Sequence, residues 1–518
     1  MMVSRPCSSR LRPLTLVVAV LSLAGCAAGP DFHPPAPPAT QSYAPQKVTG
    51  RTAAAADRFG AAQDFDAGQD IPADWWRVFG SDRLDTLIAQ ALKASPDIAA
   101  AKAALAQAQE LVYAQQGYFY PTVGLGYSVT RQQLAGNVSN NAPGLQGNGS
   151  YIGVPPVLAG QGYTEPVLYT FHTAQLTVGY TPDVFGSNRR QVESLQAQAD
   201  MQRFQFEAAR VTLASNIVAA ALQEAALRAQ TDAAQAIIQA DREALAIVQR
   251  QFAAGYAMRM DVAAQESALA TAQQVLPPLD KQLEQTRDLL RVLAGNRPDQ
   301  NVAEFTMDDF RLPEHLPLTL PARLVRQRPD VRAAEAQMHA ASADVGVAVA
   351  ARLPQFSITG AIGGEAATFN QMFEPGGPFW ALLGNVFQPV FDGNTLLHRN
   401  RAADQALVQA AAQYRATVLT ALQNVADTLH ALQADAGALA ASVRAEQAAR
   451  VTLDLTRTQS RAGYVNELAL LNAEQSWQQA EMTLVQARSQ RLGDTAALYQ
   501  ALGGGWWHDE DAQTADRN

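Results

Sequence analysis

Cysteine is almost absent from this chain of 518 residues: Cys7 and Cys26 are the only two, both near the start, so the body has no disulfide and no thiolate metal set. Long apolar runs are missing too. Beyond the first 25 residues nothing approaches the roughly 20 consecutive apolar residues of a spanning helix, which argues against an ordinary helical membrane protein. No block of Lys or Arg occurs and the net charge is -9, so no nucleic acid partner is expected. The seven histidines, His172, His339 and His430 among them, are scattered with no partner at metal-ligand spacing. Gly147-Asn-Gly149-Ser-Tyr-Ile-Gly153 approximates a dinucleotide fingerprint, but it is off spacing and no helical pattern follows. Glu207, Glu224 and Asp241 lie on helical patterns with Arg neighbours and read as a solvated face rather than paired catalytic carboxylates. No enzyme site, metal or cofactor is expected.

What the chain has is a duplication. Leu92-Lys-Ala-Ser-Pro96-Asp97-Ile98 is answered by Val325-Arg-Gln-Arg-Pro329-Asp330-Val331, an offset of 233, and each reaches its next marker, Pro121 or Pro354, after 25 residues. Pro182-Asp-Val-Phe-Gly186 answers Pro389-Val-Phe-Asp-Gly393, and Ala254-Gly255-Tyr256 answers Ala462-Gly463-Tyr464. A repeat this long is a duplicated domain rather than a solenoid.

Each copy carries a long helical stretch. Ser187 to Ala254 contains neither Pro nor Gly, and Thr395 to Ala462 contains only Gly437, so each can run as about 100 Å of helix. Apolar or small residues recur every seven positions at Val192, Ala199, Phe206, Leu213, Ala220, Leu227 and Ala234, then at Ile238, Leu245 and Phe252. The other faces are Gln, Asn and Thr, which fits walls around water. A second helix returns from Gly255 or Gly463 and ends at Gly295 or Gly503. The first of these contains Pro277-Pro278, where a kink or break is expected.

Strand patterns precede both long helices. In Pro121 to Thr130, Val123, Leu125, Tyr127 and Val129 alternate with Thr122, Gly124, Gly126 and Ser128; Gln175 to Thr181 and Pro354 to Gly360 repeat the pattern, and Leu382 to Phe391 does so less regularly. Such strands fit lipid-out, water-in barrel staves, and equally a half-buried soluble sheet. The segments Arg131 to Phe171 and Gly363 to Phe379 read as surface loops. As barrel staves, four strands cannot close alone, and an open edge is not tolerated in lipid. Three copies would supply twelve strands and twelve helical spans around one axis.

The first residues read as an address. Arg5, Arg10 and Arg12 precede an apolar run from Leu14 to Leu23 and then Ala24-Gly25-Cys26. Leu23-Ala24-Gly25-Cys26 resembles the lipobox of bacterial lipoproteins. That resemblance implies cleavage before Cys26, an S-diacylglycerol and an N-acyl chain on it, and, with Ala27 next, sorting to the outer membrane. Residues 27–73, rich in Pro, Ala, Gln and Thr, read as an extended tether.

Together, the lipobox, Trp75-Trp76-Arg-Val-Phe79, the paired Pro-Asp signals, Asp183-Val-Phe-Gly186, Phe391-Asp392-Gly393 and the two tip glycines resemble the outer membrane factor family, the TolC-like and NodT-like exit ducts of tripartite efflux pumps. The resemblance implies a mainly α fold with a membrane β-barrel part, in which a trimeric twelve-stranded barrel is continued by a periplasmic α-helical barrel. It divides the chain into a leader at 1–25, an anchor, tether and equatorial segment at 26–83, a first repeat at 84–294, an equatorial linker at 295–320, a second repeat at 321–502 and a tail at 503–518. Implied partners are two further copies, outer membrane lipid, a periplasmic adaptor and an inner membrane transporter, and the implied function is passive export of drugs or toxic small molecules. A periplasmic coiled-coil adaptor or structural lipoprotein is the alternative.

By the same resemblance, adaptor docking falls on the hairpin tips at Gly255, Tyr256, Arg461, Gly463 and Tyr464. The family's Arg-x-Gly step is matched by Arg461-Ala462-Gly463, whereas the first copy has Ala253-Ala254-Gly255. The periplasmic gate falls on Leu468 and Asn472. Where relatives carry a Leu, an Asp and an Arg, this chain has Leu468, Asn472 and Gln475, so its gate is expected to respond weakly to pH and salt. Asp261 and Gln265 are the second choice for the constriction.

Overall fold

The computed structural model describes residues 27–40, 42, 43, 50–134 and 167–508. In chain order the elements are β1 (Asp64–Ala67), α1 (Asp82–Ala94), α2 (Pro96–Gln116), β2 (Thr122–Leu134), β3 (Val167–Tyr180), α3 (Ser187–Ala253), α4 (Arg259–Leu293), β4 (His315–Leu318), α5 (Pro321–Gln327), α6 (Pro329–Ala350), β5 (Gln355–Ala366), β6 (Pro378–Phe387), α7 (Thr395–Arg461) and α8 (Glu467–Ala501). The duplication is quantitative: α3 and α7 each have 67 residues, and α4 and α8 each have 35. Both copies break their first helix in the same way. Ser95 and Arg328 are extended (ψ 125° and 126°) because Pro96 and Pro329 disfavour a helical residue before them and then start the next helix.

Two compact units result, each drawing on both copies. One consists of Met1–His33, Gln107–Ala199 and Gln337–Ala410, and holds a four-stranded antiparallel sheet in the order β2-β3-β5-β6. Its register places Leu125, Leu176, Ile362 and Trp380 in one row across all four strands, and Val123, Val178, Gly360 and Leu382 in another. Directly paired residues share a face. One face therefore carries Val, Leu, Ile and Trp, while the other carries Thr122, Ser128, Thr173, Gln175, Thr177, Ser357 and Asn385. Leu125, Trp380 and Leu382 are 85%, 77% and 72% exposed, so among the described residues most of the apolar face is left uncovered.

The strands outrun their apolar patterns. Arg131 to Leu134 and Val167 to Thr170, read as loop, pair residue for residue, and β5 and β6 likewise take residues from their expected loop. On β2 the run Arg131-Gln132-Gln133 interrupts the apolar alternation and hid the ladder, whose hydrogen bonds depend on the backbone. The fourth strand begins and ends four residues earlier than expected, its pairing ending at Phe387, ahead of Pro389. The Gly147 to Gly153 segment lies outside the described residues.

The second unit consists of Pro34–Ala106, Asp200–Ala336 and Ala411–Asn518. Its core joins Trp75, Phe79, Leu84 and Ile88 to Ile217, Leu222, Phe305, Phe310, Leu432 and Tyr499, with Trp75 stacked on Tyr499 at 5.4 Å. β1 pairs with β4 in a parallel two-stranded sheet. The helix α4 passes through Pro277 and Pro278 without a break. Leu276, Leu279 and Leu283 pack with Leu227, Ala234 and Met482 on either side of the prolines, and that packing outweighs two lost hydrogen bonds. The heptad positions from Leu213 to Ile238 are buried, whereas Phe252 near the tip is exposed.

Glu207, Glu224 and Asp241 are buried, not solvated. Glu224 shows why this is tolerated: its carboxylate accepts from Arg228 and Arg287, each at 3.2 Å, and from the Phe305 N–H at 3.3 Å. A fully paired charge can sit in a protein interior. Among the described residues no helix is long and apolar enough to cross a membrane.

Candidate functional site

The hairpin tips are built alike. At the end of α3 the Tyr256 N–H donates to the Gln251 carbonyl (2.8 Å) and the Gly255 N–H to Phe252 (3.0 Å); at the end of α7, Tyr464 donates to Gln459 (2.9 Å) and Gly463 to Ser460 (3.0 Å). This pair of hydrogen bonds satisfies two of the last free carbonyls and requires a left-handed residue, supplied by Gly255 (φ +80°) and Gly463 (φ +75°). Both glycines have open space around them, so backbone conformation alone dictates the residue type. Tyr256 and Tyr464 stand 86% and 84% exposed. Arg461 closes α7 and is exposed, and among the described residues no carboxylate pairs with it.

The returning helices start differently. In the first copy the Asp261 carboxylate accepts from the Met258 N–H at 2.8 Å, and in the second the Asn466 side chain accepts from Ala469 at 3.0 Å. Leu468 lies in the first turn of α8; its side chain lies outside the described residues. Asn472, one turn on, is exposed, as are Gln475, Ser476, Gln479 and Thr483, while Ala473 and Glu474 are buried. The spacing makes a polar stripe along one side of α8. Gln265 is different. It is buried and donates to the Asp241 carbonyl at 3.4 Å, so it packs within the wall and cannot line a bore.

Behind these tips lies a polar layer that sequence reasoning missed. Asp241 on α3 is buried; burial first, and then the like charge of Glu474, push its carboxyl above the usual range. Glu474 on α8 in turn accepts from Arg457 on α7 at 3.2 Å. The two hairpins thus exchange charge interactions inside the protein. No spacing in the sequence signals a contact between residues so far apart.

A family model described as outer membrane efflux protein matches residues 87–296 and 320–504. The chain belongs to that family. It is 30% identical over 437 residues to the pyoverdine export outer membrane protein OpmQ of Pseudomonas putida, covering 84% of this chain and 88% of that protein. It is 25% identical over 490 residues to the cation efflux system protein CusC of Escherichia coli, covering 94% and 97%. The solved structure of the outer-membrane channel OprN is 26% identical with a TM-score of 0.79, covering 93% of this chain and all of that one. The protein is an outer membrane efflux channel with the α-barrel and β-barrel fold of that family.

Within this efflux family chain, the first described residues are seated rather than loose. Residues 27–40 form neither helix nor strand, yet they are fastened. The Ala28 N–H donates to the Phe185 carbonyl at 2.9 Å, and Arg190 donates to the Ala28 carbonyl at 3.1 Å and to Asp31 at 2.7 Å. Phe32 stacks on His339 at 4.4 Å, and His339 bonds Glu193 at 3.0 Å. Although burial opposes it, bonds from Arg190 and His339 hold the Glu193 carboxyl below the usual range. A Cβ on Gly346 would lie 2.8 Å from the Ala28 carbonyl oxygen, and one on Gly186 would lie 2.7 Å from the Ala27 Cα, so both glycines make room for the arm. His339, set aside in the sequence as a scattered histidine, thus has a structural task. Farther along, β1 and the Asp57 to Arg488 pair (2.5 Å) fix the segment again. Cys26 lies outside the described residues.

Proposed function

We propose that three copies close a twelve-stranded barrel in the outer membrane, β6 of each protomer pairing with β2 of the next, and continue it as a helical duct into the periplasm. One observation carries this reading: a four-stranded sheet with an exposed apolar face and two edge strands, β2 and β6, each unpaired on its outer side among the described residues. In lipid each unpaired backbone group costs several kcal/mol, so closure by further copies is the solution available to such a sheet. A periplasmic coiled-coil adaptor would have no use for that face. Reconstituted protein is expected to conduct across a planar bilayer and to run as a trimer in detergent. A monomer without conductance would overturn the reading.

The duct acts passively, makes and breaks no bonds and binds no cofactor. A periplasmic adaptor engages the tips at Gly255, Tyr256, Arg461, Gly463 and Tyr464, an inner membrane transporter supplies the drive, and Leu468 and Asn472 form the gate. The names of relatives attach pyoverdine to one and cations to another, so the shared architecture belongs to the exit path rather than to one cargo. Drugs or other toxic small molecules are the cargo we assign.

Cys26 is the lipid attachment point. The lipobox and the seated arm that begins one residue later support it, since the arm holds Ala27 beside Gly186 at the foot of the sheet. Cys26→Ser is expected to abolish incorporation of radiolabelled fatty acid. Wild-type protein that takes up no label and is cleaved elsewhere would remove the anchor, whereas barrel insertion can survive the substitution because the strands make their own lipid contact.

A further inference from the structure

At the far end of the apolar face lies a cation that no carboxylate neutralises among the described residues. Arg131 follows Val123, Leu125, Tyr127 and Val129 at every second residue of β2, so it lies on their side of the sheet. Its cross-strand partner is Thr170, and the guanidinium approaches the Thr170 hydroxyl at 3.5 Å. Among the described residues no carboxylate pairs with it. Beside it, the Tyr127 hydroxyl and His172 Nδ1 are hydrogen-bonded at 2.9 Å, which leaves the other ring nitrogen without a partner among the described residues. Phe369 packs edge-on against Tyr127 at 5.8 Å and gives the cluster an apolar floor.

Height along the barrel decides what can meet this cation. Arg131 lies eleven residues beyond Tyr120, the exposed aromatic just ahead of β2. At about 3.4 Å per residue and a tilt of roughly 40°, that is about 25–30 Å of membrane height, close to the full apolar band of an outer membrane barrel. The helices join the strands at the Tyr120 end, so Arg131 is at the outer rim. An arginine there escapes the cost of roughly 2–4 kcal/mol at the midplane, but it still faces lipid headgroups rather than the bore.

We propose that Arg131, with Thr170 and His172, binds a phosphate group of an outer-leaflet lipid and fixes that lipid against the barrel. This rests on the barrel reading above. The guanidinium fork matches two phosphate oxygens at once, and the hydroxyl and imidazole supply further bonds from the neighbouring strand. The lipid headgroups at this height offer phosphate, the planar fork's bidentate partner.

Full-length protein in detergent, doped with bisphosphorylated lipid A, tests the site by native mass spectrometry of retained lipid. Wild type is expected to retain lipid A about tenfold more strongly than Arg131→Gln, with Arg131→Lys between them, because the paired fork is lost in steps. Dephosphorylated lipid A should bind wild type no better than bisphosphorylated lipid A binds Arg131→Gln. Equal retention by wild type and Arg131→Gln would overturn the proposal, as would displacement by millimolar inorganic phosphate, which would mark a free-anion site. Both proteins should conduct equally in a bilayer. Failure of the wild type to conduct would instead count against the barrel.

Discussion

Gly463→Val is expected to reduce pump-dependent resistance to the level of a strain lacking the gene, with trimer and membrane insertion intact. Gly463 sits at φ +75° with open space where a Cβ would go, so valine clashes with nothing but must adopt a left-handed backbone. For a β-branched residue that costs on the order of 1–3 kcal/mol, enough to open the turn that Ser460 and Gln459 close. The strain is local, because Gly463 and Tyr464 are exposed and the core of the second unit does not reach them. Gly463→Ala should have a smaller effect in the same direction. Gly437 supplies the control: it lies inside α7, also with open space, and has no left-handed backbone. Gly437→Ala should stabilise α7 by about 0.5–1 kcal/mol and leave efflux unchanged. Minimal inhibitory concentrations of an exported drug give the readout, and normal efflux in Gly463→Val would sink the docking assignment.

How much of this molecule could be read in the sequence depended on where backbone rules, rather than packing, set the answer. Gly255, Gly463, Pro96 and Pro329 each impose a conformation directly, so the ends of the long helices were legible to within a residue. The faces of β2 were legible for the same reason, since alternation is a property of the strand. The extent of the strands was not, because Arg131 to Leu134 join the ladder through backbone atoms while their side chains look like loop. Pro277 and Pro278 misled in the opposite direction, their local preference being overridden by leucines that contact another helix. Buried Glu224 was illegible because its partners Arg287 and Phe305 are 63 and 81 residues away. Of the sites, the tip turns were legible; the arm clamp between Asp31 and Arg190 was not, although Gly186 and Gly346 mark where a chain passes close.

Leu468→Ser is expected to raise single-channel conductance several-fold, and Asn472→Cys to cross-link between protomers and hold the channel closed. Leu468 and Asn472 are four residues apart in α8, the spacing of one helix face, so three copies would stack a hydrophobic ring on a polar one. Asn472 and Gln475 offer neutral hydrogen bonds, worth about 0.5–1.5 kcal/mol each, so the ring itself should respond weakly to pH and salt. The wall behind it should not be so indifferent. Asp241 has its carboxyl raised by burial and by Glu474, so ionising it opposes the folded wall. Below the ordinary carboxylate range both folded and unfolded forms are protonated and no penalty exists. As pH rises through the raised value the penalty grows, and it is complete above it. The folded wall should therefore be more stable in acid than above the raised value, and Asp241→Asn should remove that loss while changing nothing in acid. Conductance recorded across that pH range reports the ring, and thermal unfolding across the same range reports the wall. If Leu468→Ser leaves conductance unchanged and Asn472→Cys forms no cross-link, the constriction is not on α8. If Asp241→Asn leaves the pH dependence intact, the titrating group is not in the layer that joins the two hairpins.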